Sequence, residues 1–183
     1  MNEYNINLPL KDISELEKLK IFDKIYFSGE LFVFRDQVHK KIFNNDIQQI
    51  LSIDFTNAAV YYCASTPKKH SFVIGSCGPT SSYRMDDYTE AVLKLGFRVM
   101  IGKGYRNDNV VSLCREYKAI YCITYGGCGA LLNKFIISSE PVAYEEFETE
   151  AMYKFVVKNF PAFVAIDTFG NAIWKNKNRS IEI

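Results

Sequence analysis

The side chains best suited to chemistry lie in two short loops rich in glycine, hydroxyl and cationic residues. The first runs from Gly75 to Arg84 as Gly-Ser-Cys-Gly-Pro-Thr-Ser-Ser-Tyr-Arg, and the second is Ile-Gly-Lys-Gly-Tyr-Arg over residues 101–106. Gly78 and Pro79 impose a turn, so the hydroxyls that follow and the Arg84 guanidinium leave that turn together. Ligands of α/β proteins bind at strand ends. Loop composition alone fits an active-site loop and an ordinary polar loop equally well.

Three cations and a hydroxyl fall at or just past the ends of predicted strands: Arg35, Thr80, Arg84 and Lys103. A sheet that gathered these ends would form a site for a small anion. Guanidinium groups bind carboxylates through two parallel hydrogen bonds, so this set suits a small dicarboxylate better than a sugar or an apolar ligand. The Thr80 hydroxyl is a weak base, and it needs a neighbouring charge or carboxylate before it can remove a proton from carbon.

Dehydration or hydration would also need an electrophile, and the cysteines are not arranged to bind one. The five cysteines are Cys63, Cys77, Cys114, Cys122 and Cys128. They show no paired C-x-x-C spacing, and four of them lie in or beside apolar runs. Buried small hydrophobic residues are therefore the better interpretation than metal ligands. We expect no metal site in this chain, and a catalytic site here would be completed by another chain.

Length and charge limit the classes of protein that fit. The chain has 183 residues, 48% of them hydrophobic, and a formal net charge of +1. Its length predicts a single domain over residues 1–183. The small net charge gives no electrostatic reason for a nucleic-acid or anionic-membrane partner. No leader-like segment or membrane-length apolar run is present, and the odd cysteine count fits a reducing compartment, so we expect a cytoplasmic protein.

The first part of the chain predicts short strands and two helices. Asp12-Ile-Ser-Glu15 has capping-box spacing and predicts a helix over about 12–19. The apolar runs 24–27 and 30–34, separated by Ser-Gly, predict a hairpin. Apolar residues from Val38 to Leu51 recur at helical spacing and predict one helix there.

A polar cluster crowds the first turn of that helix and consists of Arg35, Asp36, His39 and Lys40. A lone helical histidine is usually structural or solvated. An exposed arginine–aspartate pair contributes little to stability. Taken alone, the cluster therefore favours a structural interpretation.

The remainder alternates strands and helices. Strands are predicted over 58–63, 71–75, 97–101, 119–124 and 141–144. One helix is predicted to be capped by Asp86 or Asp87, a second by Asn107, and a third is predicted near Leu131. Segment 146–154 fits either a strand or a helix, residues 163–166 and 172–174 predict a hairpin, and residues 175–183 predict a frayed basic tail. This order predicts an α/β domain with a parallel or mixed sheet covered by helices. The glycines over 126–129 lack a complete nucleotide-binding pattern, so tight packing explains them better.

Motifs along nearly the whole chain carry a family resemblance. The sequence resembles the beta subunit, or C-terminal domain, of class I iron–sulfur fumarases and the similar L-tartrate dehydratase beta subunits. The shared segments are residues 6–10, Phe27-Ser-Gly-Glu30, Arg35-Asp-Gln-Val-His-Lys40, Gly75-Ser-Cys-Gly-Pro-Thr80, Arg84-Met-Asp86, Ile101-Gly-Lys-Gly104, Gly126-Gly-Cys-Gly-Ala-Leu-Leu132, Tyr144-Glu-Glu146, Thr149-Glu-Ala151 and Phe160-Pro-Ala-Phe-Val-Ala-Ile-Asp167.

The resemblance implies a swivelling β/β/α domain that docks on an alpha subunit or N-terminal domain carrying a 4Fe–4S cluster with one open iron position. In such enzymes the open iron of the cluster acts as a Lewis acid. Matched by motif, Arg35, Arg84 and Lys103 correspond to substrate-binding cations. Thr80 corresponds to the proposed base, which is thought to act with an aspartate of the other domain, and we group Lys103 with it as catalytic. The remaining matched side chains are given a supporting role: Asp36, His39, Lys40 and Ser81.

Three positions depart from the family pattern. Related sequences commonly have threonine where this chain has Ser81, and glycine where it has Phe22 and Glu148. Ser81 keeps a hydroxyl, and we expect the other two positions to lie in turns.

The expected function is that of the beta subunit of a hydro-lyase that interconverts (S)-malate and fumarate. We expect the chain to assemble with alpha subunits as a heterotetramer and to be able to self-associate when alone. Dehydration of L-tartrate to oxaloacetate stays open, because it needs only a small change in pocket hydrogen bonding. A non-catalytic anion-binding or assembly module is a third interpretation, against which the intact cationic set argues. A nucleotide-binding domain rests only on the turn over 126–129 and is disfavoured.

Overall fold

Seven strands form one mixed sheet in the computed structural model, which describes residues 1–67 and 73–175. The predicted α/β class with a mixed sheet and covering helices is confirmed. The strands are β1 (Glu3–Leu8), β2 (Lys24–Val33), β3 (Ala59–Tyr61), β4 (Val99–Gly102), β5 (Ile120–Ile123), β6 (Ile136–Ala143) and β7 (Met152–Ile166).

Five of these strands close into a barrel. Strands β2, β3, β4 and β5 pair in parallel in that order, β5 pairs antiparallel with β7, and β7 returns antiparallel to β2. Strands β1 and β6 extend the sheet beside β2 and β7. Closure depends on the 15 residues of β7, which are enough to pair with both β2 and β5. The sequence predicted a covered sheet but not this closure.

Alternate side chains along the strands form two separate cores, as the two-residue period of a strand requires. One core fills the barrel and includes Ile25, Phe27, Tyr61, Ile101, Cys122 and Phe160. The other lies between the outer face and the helices and includes Phe32, Val60, Tyr62, Met100, Val38, Val92 and Val110. Burial on both faces explains why these strands are continuous apolar runs in the sequence.

The helices are α1 (Asp36–Phe43), α2 (Thr89–Lys94), α3 (Asp108–Glu116) and α4 (Gly129–Leu132). Asn107 caps α3 as predicted, accepting a 2.9 Å hydrogen bond from the Val110 amide. Asp12 and Glu15 form the predicted capping box, although the helix is a shorter 3-10 turn, Ile13–Leu16. Further 3-10 turns are Gln48–Ile50, Ser82–Tyr88, Asn133–Phe135, Glu145–Glu150 and Ile173–Lys175.

Two predictions about the first part of the chain are wrong. Residues 24–34 are not a hairpin, because β2 continues through Gly29 with a register irregularity there. A Cβ on Gly29 would lie 2.1 Å from the Leu8 carbonyl oxygen, so this glycine serves close strand approach rather than a turn. The single helix predicted through Leu51 ends at Phe43, because Asn45 adopts a left-handed φ of 57° and the later apolar residues form a separate 3-10 turn.

The second part of the chain also differs in detail. Helix α2 begins at Thr89 without an aspartate cap, because Asp86 binds Arg106 instead. Segment 146–154 divides into the 3-10 turn and the start of β7. Residues 73–75 form a bend, and the rest of the predicted strand 71–75 lies outside the described residues, as does the predicted tail after Lys175. Residues after Ala172 form a 3-10 turn rather than a hairpin strand, although Ala172 still pairs with Ile166.

Phe22 and Glu148, the two positions that we expect to lie in turns, both have positive φ. The angle is 73° at Phe22 and 51° at Glu148. These are backbone conformations that favour glycine, so the expectation that both positions concern chain turns is confirmed.

Candidate active site

The parallel strands β2 to β5 end at the same edge of the barrel, and the predicted site residues follow these ends. Arg35 lies two residues after β2, Lys103 directly follows β4, and the turn over 126–129 follows β5. Thr80 and Arg84 do not directly follow a strand. Their loop reaches the same edge by hydrogen bonding to it.

Residues 80–82 lie across the ends of β3 and β4. The Thr80 amide donates a 2.7 Å hydrogen bond to the Tyr62 carbonyl, and the Ser82 amide donates a 2.9 Å bond to the Lys103 carbonyl. Ser81 forms a parallel bridge with Lys103. The structure therefore places Thr80, Ser81 and Lys103 on adjoining backbone segments.

Ser82 and Tyr121 fix the junction between the two loops. The Lys103 amide donates a 3.1 Å hydrogen bond to Ser82 Oγ, which lies 2.9 Å from the Tyr121 hydroxyl. The Tyr121 hydroxyl also donates a 3.0 Å bond to the Gly104 carbonyl. A Cβ on Gly102 would lie 2.0 Å from Ser82 Oγ, so the close approach requires glycine there.

The glycine turn packs against the loop that carries Thr80. The Cys77 amide donates a 3.3 Å hydrogen bond to the Gly129 carbonyl, and a Cβ on Gly129 would lie 2.7 Å from the Gly78 nitrogen. A Cβ on Gly126 would lie 3.6 Å from Lys103 Cδ. These contacts support the packing interpretation of the glycines, and they put the Lys103 side chain beside the turn.

Arg84, Asp36, Arg35 and Glu150 form a connected chain of ion pairs, which we call the edge cluster. Asp36 Oδ2 lies 2.8 Å from Arg84 Nη2 and 3.9 Å from Arg35 Nε. Arg35 Nε donates a 2.6 Å hydrogen bond to Glu150 Oε1, and Arg35 Nη2 contacts the same oxygen. The side chains are 21–44% exposed. Asp36 thus brings the two predicted arginines together.

Sequence interpretation assigned no role to Glu150. The residue lies in the Thr149-Glu-Ala151 motif, which was the only available signal. Its partner Arg35 is 115 positions away in the chain, and no local spacing connects the two.

His39 and Lys40 separate from the arginines of the first turn. His39 is fully buried and lies against the rings of Phe34 and Tyr62 at centroid distances of 4.8 and 5.2 Å. Its Nδ1 lies 2.9 Å from the Arg35 carbonyl oxygen, so Nδ1 carries the donated proton. Burial lowers the pKa of His39 to about 3, so the ring is neutral near pH 7. Lys40 is exposed.

Arg106 and Asp86 form a second cluster, which sequence interpretation missed. Arg106 Nε donates a 2.5 Å hydrogen bond to Asp86 Oδ1, and Nη2 donates a 2.6 Å bond to the Thr89 hydroxyl. The guanidinium carbon lies 5.4 and 5.0 Å from the ring centroids of Tyr62 and Tyr121. We call this the buried cluster.

The buried cluster connects the two loops. Asp86 also accepts a 2.8 Å hydrogen bond from the Asn107 amide, so it joins the Ser82–Tyr88 turn to the segment after Lys103. Burial alone would lower the pKa of Arg106, but the Tyr62 hydroxyl and the Asp86 carboxylate raise it above its ordinary value. Arg106 therefore stays charged.

Thr80 is nearly buried, and among the described residues only its backbone is held by a hydrogen bond. Its residue is 9% exposed. Within residues 1–67 and 73–175, no group forms a hydrogen bond with Thr80 Oγ1. The side chain is thus held by its backbone while its hydroxyl has no fixed partner among these residues.

The cysteines do not fit an iron–sulfur ligand set. Cys63, Cys77 and Cys122 belong to the barrel interior, and Cys128 is exposed. Burial raises the pKa of Cys77 to about 12, which favours the thiol over the thiolate that binds metals. In the described part of the chain, no three His, Cys, Asp or Glu side chains are grouped to hold a metal ion. No helix there is long and apolar enough to cross a membrane.

A family model and individual relatives of this chain indicate the same family. A family model described as the fumarase C-terminus matches residues 1–177. The chain belongs to this family. It is 33% identical over 187 aligned positions to the protein named "Putative L(+)-tartrate dehydratase subunit beta" of Methanocaldococcus jannaschii, covering 98% of this chain and 94% of that protein.

Longer relatives contain this family member as one part. The aerobic class I fumarate hydratase of Escherichia coli K12 is 31% identical over 91% of this chain, which spans 31% of that enzyme. Fumarate hydratase 2 of Leishmania major is 29% identical over 87% of this chain, which spans 29% of it. The chain therefore spans about a third of the length of these fumarate hydratases and nearly all of the Methanocaldococcus jannaschii protein.

Proposed function

We propose that this chain is the beta subunit of a hydro-lyase that interconverts (S)-malate and fumarate. The observation that carries the proposal is the edge cluster, which gathers Arg35 and Arg84 at the barrel end where Thr80 and Lys103 also lie. The chain spans nearly the full length of a protein named as a beta subunit but only about a third of a class I fumarate hydratase. This difference in length supports a role as one part of a larger enzyme.

The cations bind the two carboxylates of the substrate in this proposal. Each guanidinium offers two parallel N–H groups to a carboxylate, whereas Lys103 offers a point charge on a flexible stem. The three together fix the orientation of the substrate. Lys103 lies next to the Thr80 segment, so it also favours negative charge that develops near the hydroxyl.

Thr80 removes the carbon-bound proton beside the carboxylate. Its hydroxyl must lose its own proton to an acceptor, and no described residue accepts a hydrogen bond from it. We assign that acceptor to a carboxylate of the partner subunit. Ser81 and Asp36 support the arrangement through the bridge to Lys103 and the pair with Arg84.

The remaining parts of the proposal concern assembly. The resemblance implies a 4Fe–4S cluster, and because the cysteines of the described chain do not fit its ligand set, we assign it to an alpha-type subunit. We further propose a single swivelling β/β/α domain over residues 1–183 and a cytoplasmic heterotetramer. Tartrate is the second candidate substrate, because a relative that this chain matches over most of both lengths is named for tartrate.

Co-expression with an alpha-type subunit and anaerobic reconstitution test the proposal. We expect the chain alone to be inactive and the pair to dehydrate malate or L-tartrate, with the faster substrate deciding between the two. Robust malate dehydration by the single chain would contradict the divided site. A pair that binds dicarboxylate without turnover would indicate the non-catalytic assembly module.

Substitution of Thr80 tests the assigned base. In the pair, Thr80→Ala is expected to lower kcat by about 100-fold or more while KM changes little, because general base catalysis is lost but the cations remain. Thr56→Ala, at an exposed threonine, is the matched control. Equal and mild effects of Thr80→Ala and Arg84→Ala would remove Thr80 as the base.

A further inference from the structure

Glu150 holds one edge of the Arg35 guanidinium, and no residue in the described part of the chain supplies an acceptor to the other edge. Arg35 Nε and Nη2 both face Glu150 Oε1. Asp36 Oδ2 approaches the Nε side at 3.9 Å. In residues 1–67 and 73–175, no carboxylate or other acceptor contacts Arg35 Nη1. A guanidinium has five N–H donors in a planar fork, so its Nη1–Nη2 edge can bind a second carboxylate.

The backbone around Glu150 is fixed independently of Arg35. The 3-10 turn that carries Glu150 follows Tyr144, whose amide donates a 2.7 Å hydrogen bond to Gln49 Oε1 and whose hydroxyl donates a 2.8 Å bond to the Asp46 carbonyl. The ring of Phe147 stacks on Tyr144 at 5.9 Å. These contacts dock the turn on the segment that follows α1.

Helix α1 fixes the other side of the pair. Arg35 immediately precedes α1, and its carbonyl accepts the hydrogen bond of buried His39. Because both backbones are held in place, the Nε–Nη2 edge of Arg35 faces the Glu150 carboxylate. Both side chains of the pair are partly buried, at 27% and 21% exposure, so solvent screens their interaction less than it screens a fully exposed pair.

We infer that Glu150 is a positioning residue that orients Arg35 so that its Nη1–Nη2 edge receives one substrate carboxylate. This inference rests on the proposed function, because it assigns the substrate carboxylate to Arg35. The opposite arrangement, in which Glu150 competes with the substrate for Arg35, would require the substrate to displace a hydrogen-bonded carboxylate from a fixed turn. The two arrangements predict opposite changes in KM.

Kinetics of the reconstituted pair separate them. Glu150→Gln keeps the side-chain shape but removes the charge that holds the guanidinium. We expect KM for the dicarboxylate to rise about tenfold or more with kcat within about threefold of wild type. Glu145→Gln lies on the same 3-10 turn at an exposed position and is the matched control, with KM unchanged. A lower KM, or no change in KM, in Glu150→Gln overturns the inference.

A double-mutant cycle shows whether Glu150 acts through Arg35. Lysine has no planar fork to orient, so in an Arg35→Lys background Glu150→Gln is expected to change KM by less than about twofold. A further tenfold rise in that background would show that Glu150 acts on the substrate by another route and would overturn the inference.

A measurement without turnover keeps the proposed function separate. In the nuclear magnetic resonance spectrum of the isolated chain, the Arg35 Nε–H, identified by its loss in Arg35→Lys, is expected to exchange slowly with solvent and to exchange faster in Glu150→Gln. Equal exchange in both chains overturns the positioning role even if the pair is active. If the wild-type pair turns over neither malate nor tartrate, the proposed function fails, and this exchange comparison still decides whether Glu150 orients Arg35.

Discussion

The edge cluster and the buried cluster contain the same types of groups, but they differ in how fully the guanidinium is used. Both meet at the Ser82–Tyr88 turn, which supplies Arg84 to one cluster and Asp86 to the other. In the buried cluster, Arg106 contacts Asp86, Thr89 and Tyr62 and lies between aromatic rings. In the edge cluster, the described residues leave donors of Arg35 available.

This difference predicts a structural role for the buried cluster and a ligand-binding role for the edge cluster. The partners of a buried charge compensate for its loss of hydration. Removing one partner leaves the other charge buried without compensation, which destabilises the fold. A partly exposed guanidinium with spare donors contributes little to stability but can bind an incoming carboxylate. The two clusters therefore predict different responses to substitution.

The largest expected effect belongs to the buried cluster. Arg106→Met leaves Asp86 charged and buried, and we expect a loss of about 3–5 kcal/mol in the free energy of unfolding. Urea denaturation of the isolated chain at pH 7 measures it, with exposed Arg115→Met as the control. A loss below about 1 kcal/mol would show that the two clusters are energetically alike.

Arg84→Ala should show the reverse pattern. The Arg84 side chain is 44% exposed, so the isolated chain is expected to lose less than about 1 kcal/mol of stability. In the reconstituted pair, kcat/KM is expected to fall about 10- to 100-fold, because a charged hydrogen bond to the substrate is lost. Lys94→Ala is the control for loss of a surface cation. A large loss of stability with unchanged kcat/KM would make the edge cluster structural.

His39 adds a pH dependence to the region between the clusters. Its pKa is about 3 in the fold against 6.5 for the free side chain, so below pH 6.5 the unfolded chain binds a proton that the folded chain does not. Stability contributed by the neutral ring is therefore lost as pH falls from about 6.5 toward 3, at up to about 1.4 kcal/mol per pH unit.

The measurement is a series of urea denaturations at different pH values. Between pH 6 and pH 4, the unfolding free energy of His39→Gln is expected to change with pH less steeply than that of the wild type, by up to about 1.4 kcal/mol per pH unit. Identical slopes for wild type and variant would show that the His39 ring becomes protonated without cost in the fold.

The smallest expected effect concerns the turn that holds Glu150. Glu148 has φ 51° and ψ −112°, a conformation that favours glycine, so Glu148→Gly is expected to stabilise the chain by about 1 kcal/mol. Thermal unfolding measures the gain. Asn159→Gly, at φ 54°, should gain less because asparagine tolerates the left-handed region better. Equal gains would show that Glu148 is not strained.

Local features of the fold followed from short-range patterns. The Asn107 cap, the Asp12 capping box and the strand–helix alternation depend on contacts within a few residues, and each is present. The hairpin prediction rested on Ser28 and Gly29 and was wrong. Sequence alone does not distinguish a glycine in a turn from a glycine that allows close backbone approach inside a strand. Barrel closure was also missed, since it depends on β7 pairing with strands far away in the chain.

The sequence by itself determined the family, through its motifs, and it indicated a candidate set of reactive groups: two arginines, a lysine and a threonine near predicted strand ends. Only the tertiary structure decided which carboxylate each arginine meets. Arg35 meets Glu150 across 115 positions of sequence, and Asp86, which resembles a helix cap in the sequence, instead binds Arg106 in the interior. The physical reason is that ion pairs form between side chains close in space, and barrel closure sets those distances.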